Sequence, residues 1–105
     1  MSLKKVQKDV EEWTSQFNVQ YWQPHEILAR LMEETGELAR EINHKYGPKK
    51  KKESEDAKDL SDEMADIIFT LGCLANSLNV DLDEAWERVM DKCYKRDSQR
   101  YERKK

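Results

Sequence analysis

Leu3, Val6, Val10, Trp13 and Phe17 recur at steps of three and four. That spacing lays side chains along one face of a helix. Residues from Asn18 to Gln23 interrupt the stripe and read as a loop. Pro24 suits the first turn of a helix, where a missing N–H costs nothing. Ile27, Leu28, Leu31, Leu38, Ile42 and Tyr46 then form a second stripe, and Gly47-Pro48 stops it. Residues 47–58 are polar and highly charged, which predicts a mobile loop. From about Asp59, the residues Leu60, Met64, Ile67, Ile68, Leu71, Leu74 and Leu78 predict a third helix. Asn79-Val80-Asp81 reads as a turn, with Asp81 capping a fourth helix that carries Leu82, Trp86, Val89 and Cys93. Residues 97–105 lose the stripe and read as a candidate disordered tail. The pattern therefore predicts one all-α domain over 1–105, a four-helix arrangement with two long central helices packed antiparallel.

Composition sharpens this. Charged residues are 39% of the 105 and apolar ones only 37%. Such a chain has a thin core, so assembly with further copies is expected. The longest uncharged stretch, Ile67 to Val80, is too short and too polar to span a membrane, and the N-terminus has no apolar signal region. Cys73 and Cys93 are isolated, which argues against a zinc site or disulfide framework and for a reducing cytoplasm. A net charge of −3 argues against a nucleic-acid polymer as partner. That number hides a segregation: residues 59–91 hold nine acids and one base, and residues 92–105 hold seven bases and two acids.

The acids carry the chemistry. At about 100° per residue, Glu34 and Glu37 sit about 60° apart at the edge of the second helix's apolar arc. Glu63 and Asp66 occupy the matching position on the third helix. Antiparallel packing of the two stripes would bring both pairs into one four-carboxylate cluster. Two like charges about 5 Å apart cost about 3 kcal/mol at an effective dielectric near 20, so such a cluster must protonate or hold a cation. Oxygen-only ligands favour Mg²⁺ or Mn²⁺. A carboxylate-bridged redox iron site would want Glu-x-x-His on two helices, and His25 and His44 do not fit that spacing. Gly36 inside the helix costs about 1 kcal/mol against alanine, which suggests close approach of another group to the backbone. A solvated acidic face remains the bland alternative.

LMEETGELAREI followed by LSDEMADIIFTLGCLANSLNVDLDEA resembles the MazG-like all-α nucleoside triphosphate pyrophosphohydrolases. Glu33, Glu34, Glu37, Glu63 and Asp66 match the acidic positions of the family's E-E-x-x-E and E-x-x-D motifs. The resemblance covers about residues 20 to 100. It implies a helical-bundle subunit assembled as a homodimer or homotetramer, and Mg²⁺ (or Mn²⁺ in its place) held by Glu34, Glu37, Glu63 and Asp66. Glu33 and Glu34 are the implied catalytic acids, and the implied reaction converts a (deoxy)nucleoside triphosphate and water to the monophosphate and pyrophosphate. Nucleotide-pool housekeeping in the cytoplasm would be the role.

Substrate contacts follow from residue chemistry. Trp22 offers a face for base stacking, and Asn76 and His44 offer polar groups for a base edge. Lys92, Lys95 and Arg96 are candidates for phosphate, and Lys49 to Lys52 for a lid. Trp13 and Trp86 lie on apolar stripes and are expected in the core, as are both thiols. A different class remains open on this ground alone: a non-catalytic helical interaction module whose thin stripes bury against partner helices.

Overall fold

The computed structural model describes residues 2–48 and 60–104. Four α-helices follow one another: α1 Leu3–Thr14, α2 Pro24–Tyr46, α3 Leu60–Ser77 and α4 Leu82–Lys92, with one wider helical turn at Cys93–Asp97. The described residues contain no strand.

Local chemistry accounts for the helix ends. Ser2 caps α1 by accepting from the Lys5 N–H at 3.2 Å. Pro24 starts α2, and Glu26 reaches back to accept from the Gln23 N–H at 3.0 Å. Asp81 accepts from the N–H groups of Asp83 and Glu84 and so begins α4. Asn79, at φ 56°, takes the left-handed conformation that turns the chain between α3 and α4. The expected loop over 47–58, with its lysines Lys49 to Lys52, lies outside the described residues beyond Gly47 and Pro48.

The principal packing is α2 on α3, with α1 also packed on α3 and α4 docked on α1. Gly72 allows the α1–α3 approach: a Cβ there would lie 3.0 Å from Val10 Cγ2. Gly36 does not play the part expected of it, because nothing lies within 4 Å of a Cβ built at that position.

The core is thin, as the composition predicts. Val10, Ile27 and Ala75 are the buried apolar residues, and no side chain is less than 2% exposed. Trp13 and Trp86, expected inside, are 54% and 56% exposed. The stripe positions were right for the helices, but the described helices are too few to cover them. The Cα radius of gyration is 17.5 Å, against about 13 Å for a compact domain of this length.

Candidate active site

The phase argument for the acids holds. Oxygens of Glu34, Glu37 and Glu63 lie within 4.8 Å of one another, with Glu34 and Glu63 buried and Glu37 exposed. Asp66 stands one turn along α3 from Glu63. It is exposed, and it lines the same cavity as Glu34. The α2–α3 packing therefore brings together three of the four expected ligands and places the fourth on the adjoining wall.

Glu34 is the most constrained member. It is 4% exposed. Arg30, one turn earlier, forms an ion pair with it, Nη2 to Oε1 at 2.9 Å. Its other oxygen, Oε2, is buried with no hydrogen-bond partner. Burial pushes the Glu34 carboxyl above its ordinary range; Arg30 opposes this, and the charges of Glu37, Asp66 and Glu63 push it further up. An unpartnered buried carboxylate oxygen among other carboxylates is costly unless a proton or cation joins it. Glu33, on the neighbouring face, is exposed and lies 3.7 Å from Arg30 on the solvent side. It stands outside the three-carboxylate group.

A cavity of about 480 Å³ opens beside this group. From α2 it receives Ile27, Arg30 and Glu34, and from α3 it receives Asp66, Phe69, Thr70 and Cys73. The end of α1 and the following loop close it with Trp13, Thr14 and Phe17, then Gln20, Tyr21 and Trp22. Glu34 to Ile27 and Asp66 to Cys73 each span seven residues, so the cavity extends about 10 Å along the helices from the carboxylates. One part is anionic and the rest is aromatic. Burial raises the Cys73 thiol pKa, which keeps it a neutral wall group.

Trp22 lines this cavity, as expected of a stacking residue, and is 55% exposed. Trp13 joins it there and packs edge-on against Phe17, with centroids 5.3 Å apart. Asn76 lies elsewhere. Its Nδ2 donates to Gln7 O and to the Tyr21 hydroxyl, and its Oδ1 accepts from Gln7 Nε2. Tyr21 in turn donates to Glu11. Asn76 thus braces the cavity wall from behind and has no amide group turned to a ligand. Burial, and then the bond to Glu11, raise the Tyr21 pKa, so its hydroxyl stays protonated.

His44 is half-buried near the end of α2, with Nδ1 unpartnered, and lines no part of the cavity. Lys92, Lys95 and Arg96 also lie off it. Lys95 pairs with Asp91 at 3.1 Å and Arg96 with Asp97 at 2.9 Å. The sequence reading missed Arg30, whose signal was its place four residues before Glu34. It also missed Phe17, Gln20, Phe69, Thr70 and Cys73, which no local pattern assigns to a pocket.

The described chain is thus an all-α domain with a carboxylate group beside a cavity of about 480 Å³. Residues 22–101 match the MazG nucleotide pyrophosphohydrolase domain, and the chain belongs to that enzyme family. It is 48% identical over 103 residues to the uncharacterised protein YpjD of Bacillus subtilis strain 168, covering 98% of this chain and 93% of that one. The crystal structure of YpjD superposes with a TM-score of 0.79 at 49% identity, over 88% of this chain and 94% of that one. The crystal structure of the Bacillus-conserved MazG protein, a nucleotide pyrophosphohydrolase, gives a TM-score of 0.77 at 42% identity, over 91% and 93%. No described helix is long and apolar enough to cross a membrane.

Proposed function

We propose that this chain hydrolyses a (deoxy)nucleoside triphosphate to the monophosphate and pyrophosphate, with Mg²⁺ as the resident cation and a nucleotide-pool housekeeping role in the cytoplasm. The observation that carries the reading is the dual position of Glu34, which belongs both to the carboxylate group and to the wall of the aromatic cavity. That position suits a base and a phosphate chain bound along one continuous surface.

The donor set fits a hard divalent cation, because its ligands are all carboxylate oxygens and one of them, Glu34 Oε2, is buried without a partner. Glu34, Glu37 and Glu63 would hold it, with Asp66 completing the set from the cavity wall. When bound, the cation offsets phosphate charge and acidifies water. Glu34, at the junction of the carboxylate group and the cavity, would be placed to accept a proton from attacking water. Arg30 fixes one Glu34 oxygen and offers positive charge toward the growing pyrophosphate charge. Glu33 holds Arg30 from the solvent side. Trp22 and Trp13 supply faces for the base.

The assembled form is a homodimer or homotetramer in this reading. Leu28, Met32, Ile68, Leu71, Trp86 and Val89 are each more than 40% exposed, a large apolar area for an isolated soluble chain. Lys92, Lys95 and Arg96 lie off the cavity of their own chain and are assigned to phosphates bound between copies.

The test is a panel of ribo- and deoxynucleoside triphosphates with Mg²⁺, read as pyrophosphate release, alongside light scattering for mass. Release that is lost in Glu37→Gln and in Asp66→Asn supports the reading. A folded protein that releases pyrophosphate from no nucleotide overturns it.

A further inference from the structure

The aromatic part of the cavity is almost without free polar groups. The Thr70 hydroxyl donates to Asp66 O at 2.9 Å, and the Tyr21 hydroxyl is held between Glu11 and Asn76. The Thr14 hydroxyl donates to Val10 O at 2.8 Å. Gln20 differs: Nε2 makes the side chain's one hydrogen bond, to Thr14 Oγ at 3.3 Å, and Oε1 has no partner.

The direction of that bond fixes the amide. Thr14 is 7% exposed; its hydroxyl lies 2.8 Å from Val10 O, its shortest acceptor contact, with Glu11 O at 3.4 Å and the Tyr21 hydroxyl beside it. With its hydrogen on Val10 O, it accepts from Gln20. The amide nitrogen must face Thr14, which leaves the carbonyl oxygen and one N–H as the outward edge. A flipped amide would set two lone pairs against each other.

We propose that Gln20 is a specificity-determining residue whose oriented carboxamide reads the Watson–Crick edge of the base, its Oε1 accepting an N–H from that edge. The proposal rests on the cavity's being the nucleotide site. Thr14, which does not reach the base in this scheme, acts as the positioning residue that fixes the amide.

The test pairs each natural triphosphate with an analogue methylated at the Watson–Crick N–H, such as N3-methyl-UTP or N4,N4-dimethyl-CTP. The wild-type enzyme should favour the parent of its preferred substrate by about tenfold or more in kcat/KM. In Gln20→Leu that preference should collapse to within about threefold. Thr14→Val should reduce it, because the amide is then free to flip. A parent-to-analogue ratio in Gln20→Leu equal to wild type overturns the proposal.

Calorimetric titration with the corresponding monophosphates and with ribose 5-phosphate separates this from failure of the catalytic reading. If wild type hydrolyses nothing yet binds a monophosphate more tightly than ribose 5-phosphate, and Gln20→Leu abolishes the difference, Gln20 stands and hydrolysis falls. If no monophosphate binds more tightly than ribose 5-phosphate, the assignment of Gln20 falls.

Discussion

Arg30 Nη2 lies 2.9 Å from Glu34 Oε1, while the other oxygen of the same carboxylate is buried with no protein partner. One oxygen of Glu34 is thus paired by Arg30, and the other has no hydrogen-bond partner among the described residues. The pair is asymmetric in exposure as well, 53% for the arginine side chain and 5% for the carboxylate.

Removing the arginine should therefore hurt more than loss of a surface pair, because it strands a buried carboxylate. Arg30→Met is expected to destabilise the metal-free protein by about 1–2 kcal/mol, a fall of several degrees in melting temperature. Addition of Mg²⁺ should recover most of the loss. Differential scanning fluorimetry with EDTA and with millimolar Mg²⁺ checks both.

The raised Glu34 pKa sets the sign of a pH dependence. Between the ordinary value near 4.5 and the raised one, the folded protein holds a proton that the unfolded chain has lost. Glu34 therefore stabilises the metal-free protein relatively at low pH, and that contribution is lost as pH rises through its folded value. The melting-temperature difference between Glu34→Gln and wild type, in EDTA, should grow in the variant's favour from pH 4.5 to 8. A difference independent of pH would contradict the assignment.

Glu37→Gln and Glu63→Gln should separate activity from stability. Each removes one member of a group of like charges within 4.8 Å. Relief of repulsion favours the metal-free variants and is set against the loss of each carboxylate's own polar partner. Pyrophosphate release should fall by about a hundredfold or more, as when an electrostatic stabiliser is removed from a site. Paired melting curves and rate measurements on the same preparations read the trade-off.

The two helical glycines should respond differently to alanine. At Gly36 the added methyl meets nothing within 4 Å, so Gly36→Ala should stabilise by about 1 kcal/mol through helix propensity alone. At Gly72 it would meet Val10 Cγ2 at 3.0 Å, and Val10 is 3% exposed. Overpacking costs about 1–3 kcal/mol, so Gly72→Ala should fall below wild type. Urea denaturation of the two variants ranks them.

The four helices were legible in the sequence because their determinants are local. Hydrophobic period, Pro24 at a first turn, Asp81 as a cap and Gly47-Pro48 as a stop all act within a few residues. The convergence of Glu34, Glu37 and Glu63 was legible for a related reason: phase on a helix is fixed by residue number, and two matched stripes leave few ways to pack.

What each face meets was decided only by the tertiary structure. The stripe of α1 ends with Trp13 and Phe17 bordering a cavity, because the loop after it folds back through Gln20 to Thr14. Asn76 became a brace because α1 crosses α3 at Gln7, a meeting of residues 69 positions apart. Gly72, with its undistinguished sequence context, takes the close approach first expected at Gly36. Periodicity states which side chains share a side of a helix. Which of those sides faces a neighbour, a ligand or a second copy depends on how much apolar surface the whole chain can cover, and this chain covers little.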